Sequence, residues 1–346
     1  MYRKIMGFLE AWKENEHRKP LILQGARQVG KTYSILEFGR IHYENVAYFN
    51  FETNPKLNET FEEKISPDYL IPILSHIAGQ TIVKEKTLIV FDEVQLCERA
   101  LTSLKYFCED APDYHIIVAG SLLGVAVNRA KFSFPVGTVD MKTLYPMDME
   151  EFMIAVREDE LVEQIKKCFE TNRPMPSALH DVAMQLYRQY LVVGGMPECV
   201  MQFVQTGDYI LIRHTQDTIL TSYLNDMGKY NNLNEIKKTR LAYDNITVQL
   251  SKKNTRFQYK LIKKGGRASE FENAIEWLCL SGIASQVYRV EQIKKPLENY
   301  RDIDAFKIYV SDLGLLCAKK DLAANDILYM VCLLYTSPSP RDYAAS

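Results

Sequence analysis

Eight consecutive residues, Gly25-Ala26-Arg27-Gln28-Val29-Gly30-Lys31-Thr32, follow the spacing GxxxxGK[ST]. That spacing suits an anion. Glycines let the backbone curl with its N–H groups turned inward, and a helix starting at the loop's end adds its positive pole. Lys31 would reach the outer phosphates of a nucleotide as a point charge, and the Thr32 hydroxyl would be a magnesium ligand. Gly25, Ala26, Arg27, Gln28, Val29 and Gly30 form the cradle, with Arg27 and Gln28 either touching nucleotide or a partner or simply exposed. A second constellation, Thr87 to Glu93 (TLIVFDE), is an apolar run ending in two acids. Buried carboxylates are costly unless something pairs them, and a magnesium ion would. Asp92 is expected to hold that ion through a water, and Glu93 to orient and deprotonate the water attacking the γ-phosphate. The plainer reading makes them helix-capping acids. Ser121 closes the next apolar run, either beside the γ-phosphate or as a turn or cap residue.

These groups need a scaffold, and the pattern around them describes one. Ile5, Phe8, Leu9 and Trp12 predict an amphipathic helix over 2–15. Strand-like runs follow at 21–23, 46–51, 87–91 and 115–119, with a fifth near 139–144, and helical stretches such as 33–40 and 99–109 lie between them. Apolar strands alternating with helices predict an α/β fold, a parallel sheet covered by helices. Beyond Pro146 the pattern turns helical over 149–228, broken at Pro174, Pro176 and Gly194-Gly195-Met196-Pro197, and again over 236–253. Gly194 and Gly195 read as a turn and Glu198 as a helix cap. Phe271, Ala274, Ile275 and Leu278 share one face of a helix over 268–280, ahead of strand-like alternation at 285–290 and 307–310. Helices followed by a helix and a two-stranded ribbon predict a winged helix.

The composition is that of an ordinary globular protein. The 346 residues carry a net charge of −2, so any nucleic-acid contact must come from a local patch. Seven dispersed cysteines without a CxxC pair argue against a disulfide framework or zinc ribbon and for reduced thiols in the cytoplasm. The six histidines share no ligand spacing, and no apolar run is long enough to span a membrane.

Taken in order, GARQVGKT (25–32), NFE (50–52), LIVFDE (88–93), AGSLLG (119–124), LYPMDMEEF (144–152), VGGMPE (193–198), LIKKGGRASEFENAIEWL (261–278) and FKIYVSDLGLL (306–316) resemble the AAA-like P-loop ATPases of bacteria and archaea. More closely, the chain resembles the subfamily joining such a core to a C-terminal domain of unknown function. The resemblance implies a P-loop NTPase core with ATP, magnesium and ATP hydrolysis, then a helical lid and a winged-helix domain, then a nuclease-like fold past the end of this chain. ATP over GTP rests on it alone. It divides the chain into an N-terminal helix (1–16), the ATPase core (17–155), the lid region (156–235), the winged helix (236–316) and an end (317–346) whose CLLYTSPSPRD segment reads as translated adapter sequence on a truncated gene, or else as a disordered tail. It also places a basic residue where this chain has Thr138; Arg129, Lys131 or a neighbouring subunit would have to substitute, and turnover would be slow.

Lys252, Lys253, Arg256, Lys260, Lys263, Lys264 and Arg267, interleaved with Phe257 and Tyr259, form a basic cluster ahead of helix 268–280. It is either a DNA contact or a solvated face, and Glu270, Glu272 and Glu276 weigh against DNA. Two functions remain open: an ATP-driven switch acting on nucleic acid, and a scaffold held closed by ATP that grips a protein partner or another copy of itself.

Overall fold

The computed structural model describes residues 1–120, 137–229, 233–252 and 256–329. They fall into two compact units, Met1–Tyr145 and Pro146–Ser346.

The first unit is built on five parallel strands, β1 (Leu21–Gln24), β2 (Asn45–Asn50), β3 (Thr87–Asp92), β4 (His115–Ala119) and β5 (Asp140–Thr143), in the order β2-β3-β4-β1-β5. β3 and β4 are buried along their whole length, as apolar strands covered on both faces must be. Alternation sends Ile22, Phe49, Ile89, Phe91, Ile116 and Val118 to one face. There they meet Phe61 of α3 (Leu57–Glu63), Leu70 and Leu74 of α4 (Pro67–Ala78), and Leu104 and Phe107 of α5 (Glu98–Asp110). The Phe91 ring stands edge-on to Phe61 at 5.7 Å, with Phe49 and Phe51 each 5.9 Å away. Those rings hold the end of β3, where Asp92 follows. On the opposite face lies α2 (Lys31–His42), so close that a Cβ on Gly39 would come 2.5 Å from Val46 Cγ2.

Ahead of the sheet, α1 (Ile5–Glu14) buries Ile5, Leu9 and Trp12 on the expected face. The Trp12 ring stands edge-on to His115 at 6.1 Å, and Tyr43 Oη lies 2.7 Å from His115 Nδ1. Burial, then the charges of Arg18 and Lys13, push the His115 imidazole down to about 4, only partly offset by Asp113.

In the second unit the helical stretch is cut into α6 (Met149–Ala155), α7 (Asp159–Glu170), α8 (Ser177–Val193), α9 (Pro197–Thr206) and α10 (Tyr209–Lys229). Two breaks fall at the prolines and the double glycine. The others sit at Arg157 and Gly207, both with left-handed backbone (φ 68° and 63°). Then come α11 (Leu233–Leu250), a 3-10 turn (Tyr259–Leu261), α12 (Ala268–Leu280), the antiparallel strands β6 (Ala284–Val290) and β7 (Arg301–Val310), α13 (Leu313–Lys319) and α14 (Ala324–Leu328). β7 starts at Arg301, earlier than the alternation at 307–310 suggests. The ladder runs on past a bulge to Val290, and the Arg301 guanidinium lies 3.8 Å over the Tyr288 ring.

Three segments far apart in sequence meet main chain to main chain in this unit. A Cβ on Gly195 would come 1.9 Å from Met147 O, and one on Gly314 would come 2.5 Å from Val193 O. Met147 N donates to Gly195 O at 2.6 Å. The Asp312 carboxylate accepts from Gly195 N (2.6 Å) and Leu315 N (2.8 Å). Gln216 Nε2 donates to Val192 O and Val193 O at 2.8 and 3.0 Å. Burial raises Asp312 to about 6 in spite of its amide donors.

Two outcomes follow. The unfolded chain protonates His115 before the folded one does, so the stability its neutral form contributes is present above pH 6.5. It is lost as pH falls towards 4, by on the order of 3 kcal/mol. Urea midpoints measured across that range should drop less in His115→Gln than in the parent; parallel profiles would contradict this. Gly195→Ala, facing a carbonyl that cannot move aside, should cost about 2–3 kcal/mol. Gly228→Ala, with nothing within 4 Å, should be neutral or stabilising in the same urea series.

Candidate nucleotide-binding site

The loop from β1 to α2 turns through left-handed backbone at Gly25 (φ 144°), Gln28 (φ 66°) and Gly30 (φ 90°). Only glycine fits the first: a Cβ there would lie 2.2 Å from Leu144 O. Gln28 bears its strain without that freedom, a cost typical of sites rather than of plain connections. α2 begins at Lys31, so the unpaired N–H groups of its first turn open towards the loop. The Lys31 side chain is buried, and its ammonium donates to Gly25 O and Ala26 O, each at 2.8 Å.

β4 alone separates β1 from β3, which brings Asp92 beside the start of α2. Thr32 Oγ1 donates to Asp92 Oδ2 at 2.8 Å, and Glu93 N donates to Asp92 Oδ1 at 3.0 Å. Asp92 is buried, while Glu93 is half-buried with a left-handed backbone (φ 51°) that swings its carboxylate off the strand line. The structure thus gathers Gly25 to Thr32 and Asp92 and places Glu93 beside them. Ser121 lies outside the described residues, as do Arg129 and Lys131. Thr138 precedes β5, whose first residue, Asp140, pairs with Leu21, whereas the loop follows Gln24, the partner of Thr143. Thr138 therefore lies towards the opposite end of the strands from the loop of its own chain.

Four contributors had no site role assigned from the sequence, although Asn50 stands in the NFE string. Tyr48 Oη donates to Asp92 Oδ2 at 2.8 Å, and Asn50 Nδ2 donates to Tyr48 Oη at 3.2 Å. Burial, with the neighbouring carboxylates, pushes the Tyr48 phenol up to about 12, so it remains a donor. Gln95 Nε2 donates to Glu93 Oε2. Arg3 donates to Val29 O at 2.9 Å. The polar end of the β2 run, beside an acid-ended strand, was the available signal for Tyr48 and Asn50; nothing in the spacing announces Arg3.

A triphosphate fits this donor set: converging amides, one buried ammonium and no carboxylate inside the loop. Magnesium fits as well. Thr32 and Asp92 offer two oxygens side by side, and a hard cation that keeps waters and phosphate oxygens needs few from protein. Among the described residues no cluster of three or more His, Cys, Asp or Glu suits another metal.

In the second unit the basic cluster is exposed where it is described, but its aromatics are not free for bases. Phe257 is buried and stacked on Phe306 at 5.8 Å, and Tyr259 packs edge-on to both. Lys263 pairs with Glu270 at 3.5 Å, and α12 leaves Ser269, Glu272, Asn273 and Glu276 exposed.

Residues 17–153 match the family model described as AAA domain, and residues 184–326 match a domain of unknown function, DUF8612. The first unit has the P-loop NTPase fold, a parallel five-strand sheet flanked by helices. Among solved structures, the Aeropyrum pernix ORC2 protein, in ADPNP-ADP complexes, is 10% identical, with 92% of this chain and 94% of that one covered at a TM-score of 0.44. The Thermotoga maritima RuvB Holliday junction branch migration motor is 13% identical, with 82% and 87% covered at 0.35. No function is read from likeness at these scores. None of the curated proteins matches. No described helix is long and apolar enough to cross a membrane.

Lys31→Ala should abolish Mg-ATP binding in calorimetry. Tyr48→Phe should leave binding of metal-free ATP unchanged and raise the magnesium concentration needed for full affinity several-fold. An unaltered magnesium titration would remove Tyr48 from the site.

Proposed function

We propose that this protein binds ATP with magnesium and hydrolyses it to work a conformational switch. The observation that carries the reading is the 2.8 Å contact between Thr32, at the first turn of α2, and Asp92, at the end of β3, with Glu93 turned out beside it. Amides of the loop and the Lys31 ammonium would bind the β- and γ-phosphates. Thr32 and Asp92 would hold magnesium, which when bound neutralises charge developing on the phosphoryl oxygens. Glu93, oriented by Gln95, would take the proton of the attacking water. Ser121 is proposed as the γ-phosphate sensor. The scattered thiols, free wherever they are described, suit the cytoplasm.

A second reading has its own support. Thr138 carries no charge and lies towards the other end of the strands from its own loop, so a cation completing the γ-phosphate site would come from the 121–136 segment or from another copy of the chain. Turnover without it would be slow, and ATP would act mainly to hold a closed state. We propose the ribbon and α12 as a winged helix. Its exposed Glu272 and Glu276 favour a protein partner over DNA, with the 252–267 cluster as the surface through which DNA would bind if it does.

Glu93→Gln decides the catalytic part. It should bind Mg-ATP like the parent and lose hydrolysis by roughly a hundredfold or more in a phosphate-release assay. Hydrolysis at the parent's rate would show that Glu93 is not the base.

A further inference from the structure

Arg3 stands just ahead of α1 and is only 5% exposed. An isolated guanidinium buried so deeply would be strongly unfavourable. This one spans two carbonyls: Nη1 donates to Val29 O at 2.9 Å and Nη2 to Tyr145 O at 2.8 Å, across sequence separations of 26 and 142 residues. The rigid, planar fork of arginine makes a two-point bridge that lysine cannot.

The first of those bonds has a consequence for the phosphate side. In a trans peptide the carbonyl and the next N–H point in opposite directions. Holding Val29 O towards Arg3 therefore turns the Gly30 N–H the other way, away from Arg3. The opposite end of the loop is fixed by main chain. Gly25 lies against Leu144 so tightly that a Cβ would come 2.2 Å from Leu144 O, and Leu144 N donates to Gln24 O at 2.8 Å. Both ends of the loop thus rest on Leu144 and Tyr145, the last two residues of the first unit, one end directly and the other through Arg3.

We propose that Arg3 is a positioning residue for the nucleotide loop, and that through it phosphate binding stiffens Leu144 and Tyr145, where the chain leaves the first unit. The inference rests on the nucleotide reading of the site. Arg3 would act through the Val29 carbonyl rather than on phosphate or magnesium. It keeps one peptide of the loop turned for binding, so that less order has to be created when the anion arrives.

The test uses the full chain, with Mg-ATP titrated by calorimetry into the parent, Arg3→Gln and Arg3→Lys, and with hydrogen exchange followed at the Leu144 amide. Arg3→Gln should raise Kd about tenfold, and Arg3→Lys, which keeps the charge and one bond, should fall between it and the parent. In the parent, Mg-ATP should slow exchange at Leu144, and in Arg3→Gln saturated with nucleotide that slowing should be smaller. A purely structural Arg3 would lower the melting temperature with and without nucleotide alike and leave Kd and the exchange response unchanged, which would overturn the inference. Should Arg3→Gln fail to fold, the parent's exchange decides: no nucleotide-dependent change at Leu144 refutes the link. A parent that binds no Mg-ATP would instead defeat the nucleotide reading itself, and this inference with it.

Discussion

The arrangement depends on keeping a short run of peptide N–H groups pointed at one spot. Amides left to themselves turn towards water or pair with each other, so a cradle for anions has to be held open from outside. Three devices do this in the first unit. Left-handed backbone at Gly25, Gln28 and Gly30 bends the loop, α2 fixes the amides after it, and loop carbonyls are taken up by side-chain donors, Gly25 O and Ala26 O by Lys31 and Val29 O by Arg3. The acidic half obeys the same logic with the sign reversed. Asp92 is buried, and its oxygens are occupied by Thr32, Tyr48 and the Glu93 amide. Charge in both halves is stabilised by oriented dipoles and hydroxyls rather than by bulk water, and the aromatic packing around Phe91 keeps the acid in place.

What could be read from the sequence follows from how far each interaction reaches along the chain. The loop spacing, the strand ending in Asp92 and Glu93 and the five-strand α/β pattern are local, because periodicity and short motifs are local. Tyr48 joins the site only because β2 pairs with β3 in the register that sets Asn50 against Asp92. Arg3 joins it across 26 residues, and Gln95 because Glu93 adopts an unusual backbone. Pairing register and tertiary reach leave no trace in spacing. Phe257 shows the same limit from the other side. It is interleaved in a basic cluster open to reading as a DNA contact or a solvated face, yet it is core, donating its N–H to Phe306 O and packing on that ring. The early start of β7 was hidden because Arg301, Asp302 and Asp304 break the apolar alternation in a ribbon whose tip is solvated.

The second unit combines two kinds of order. Its ribbon and α12 are held by ordinary apolar burial, with Phe271, Ala274, Ile275, Trp277 and Leu278 inside. Its junction near Gly195 is held by hydrogen bonds between main-chain atoms, a buried carboxylate and a buried amide side chain. Burial alone would drive Asp312 to neutrality; the amides of Gly195, Gly314 and Leu315 pull the other way, leaving it near 6. Such a centre is directional, and it fixes angles between segments more tightly than an apolar contact does.

That junction also limits how the chain can change. A side chain that crowds another can be accommodated by trimming its neighbour. Where Gly195 meets Met147 O and Gly314 meets Val193 O, the neighbour is a peptide group, which every residue type carries. No second substitution can make room for the first. The glycines of VGGMPE and SDLG are therefore constrained by how closely three backbones approach, independently of what happens at the nucleotide site.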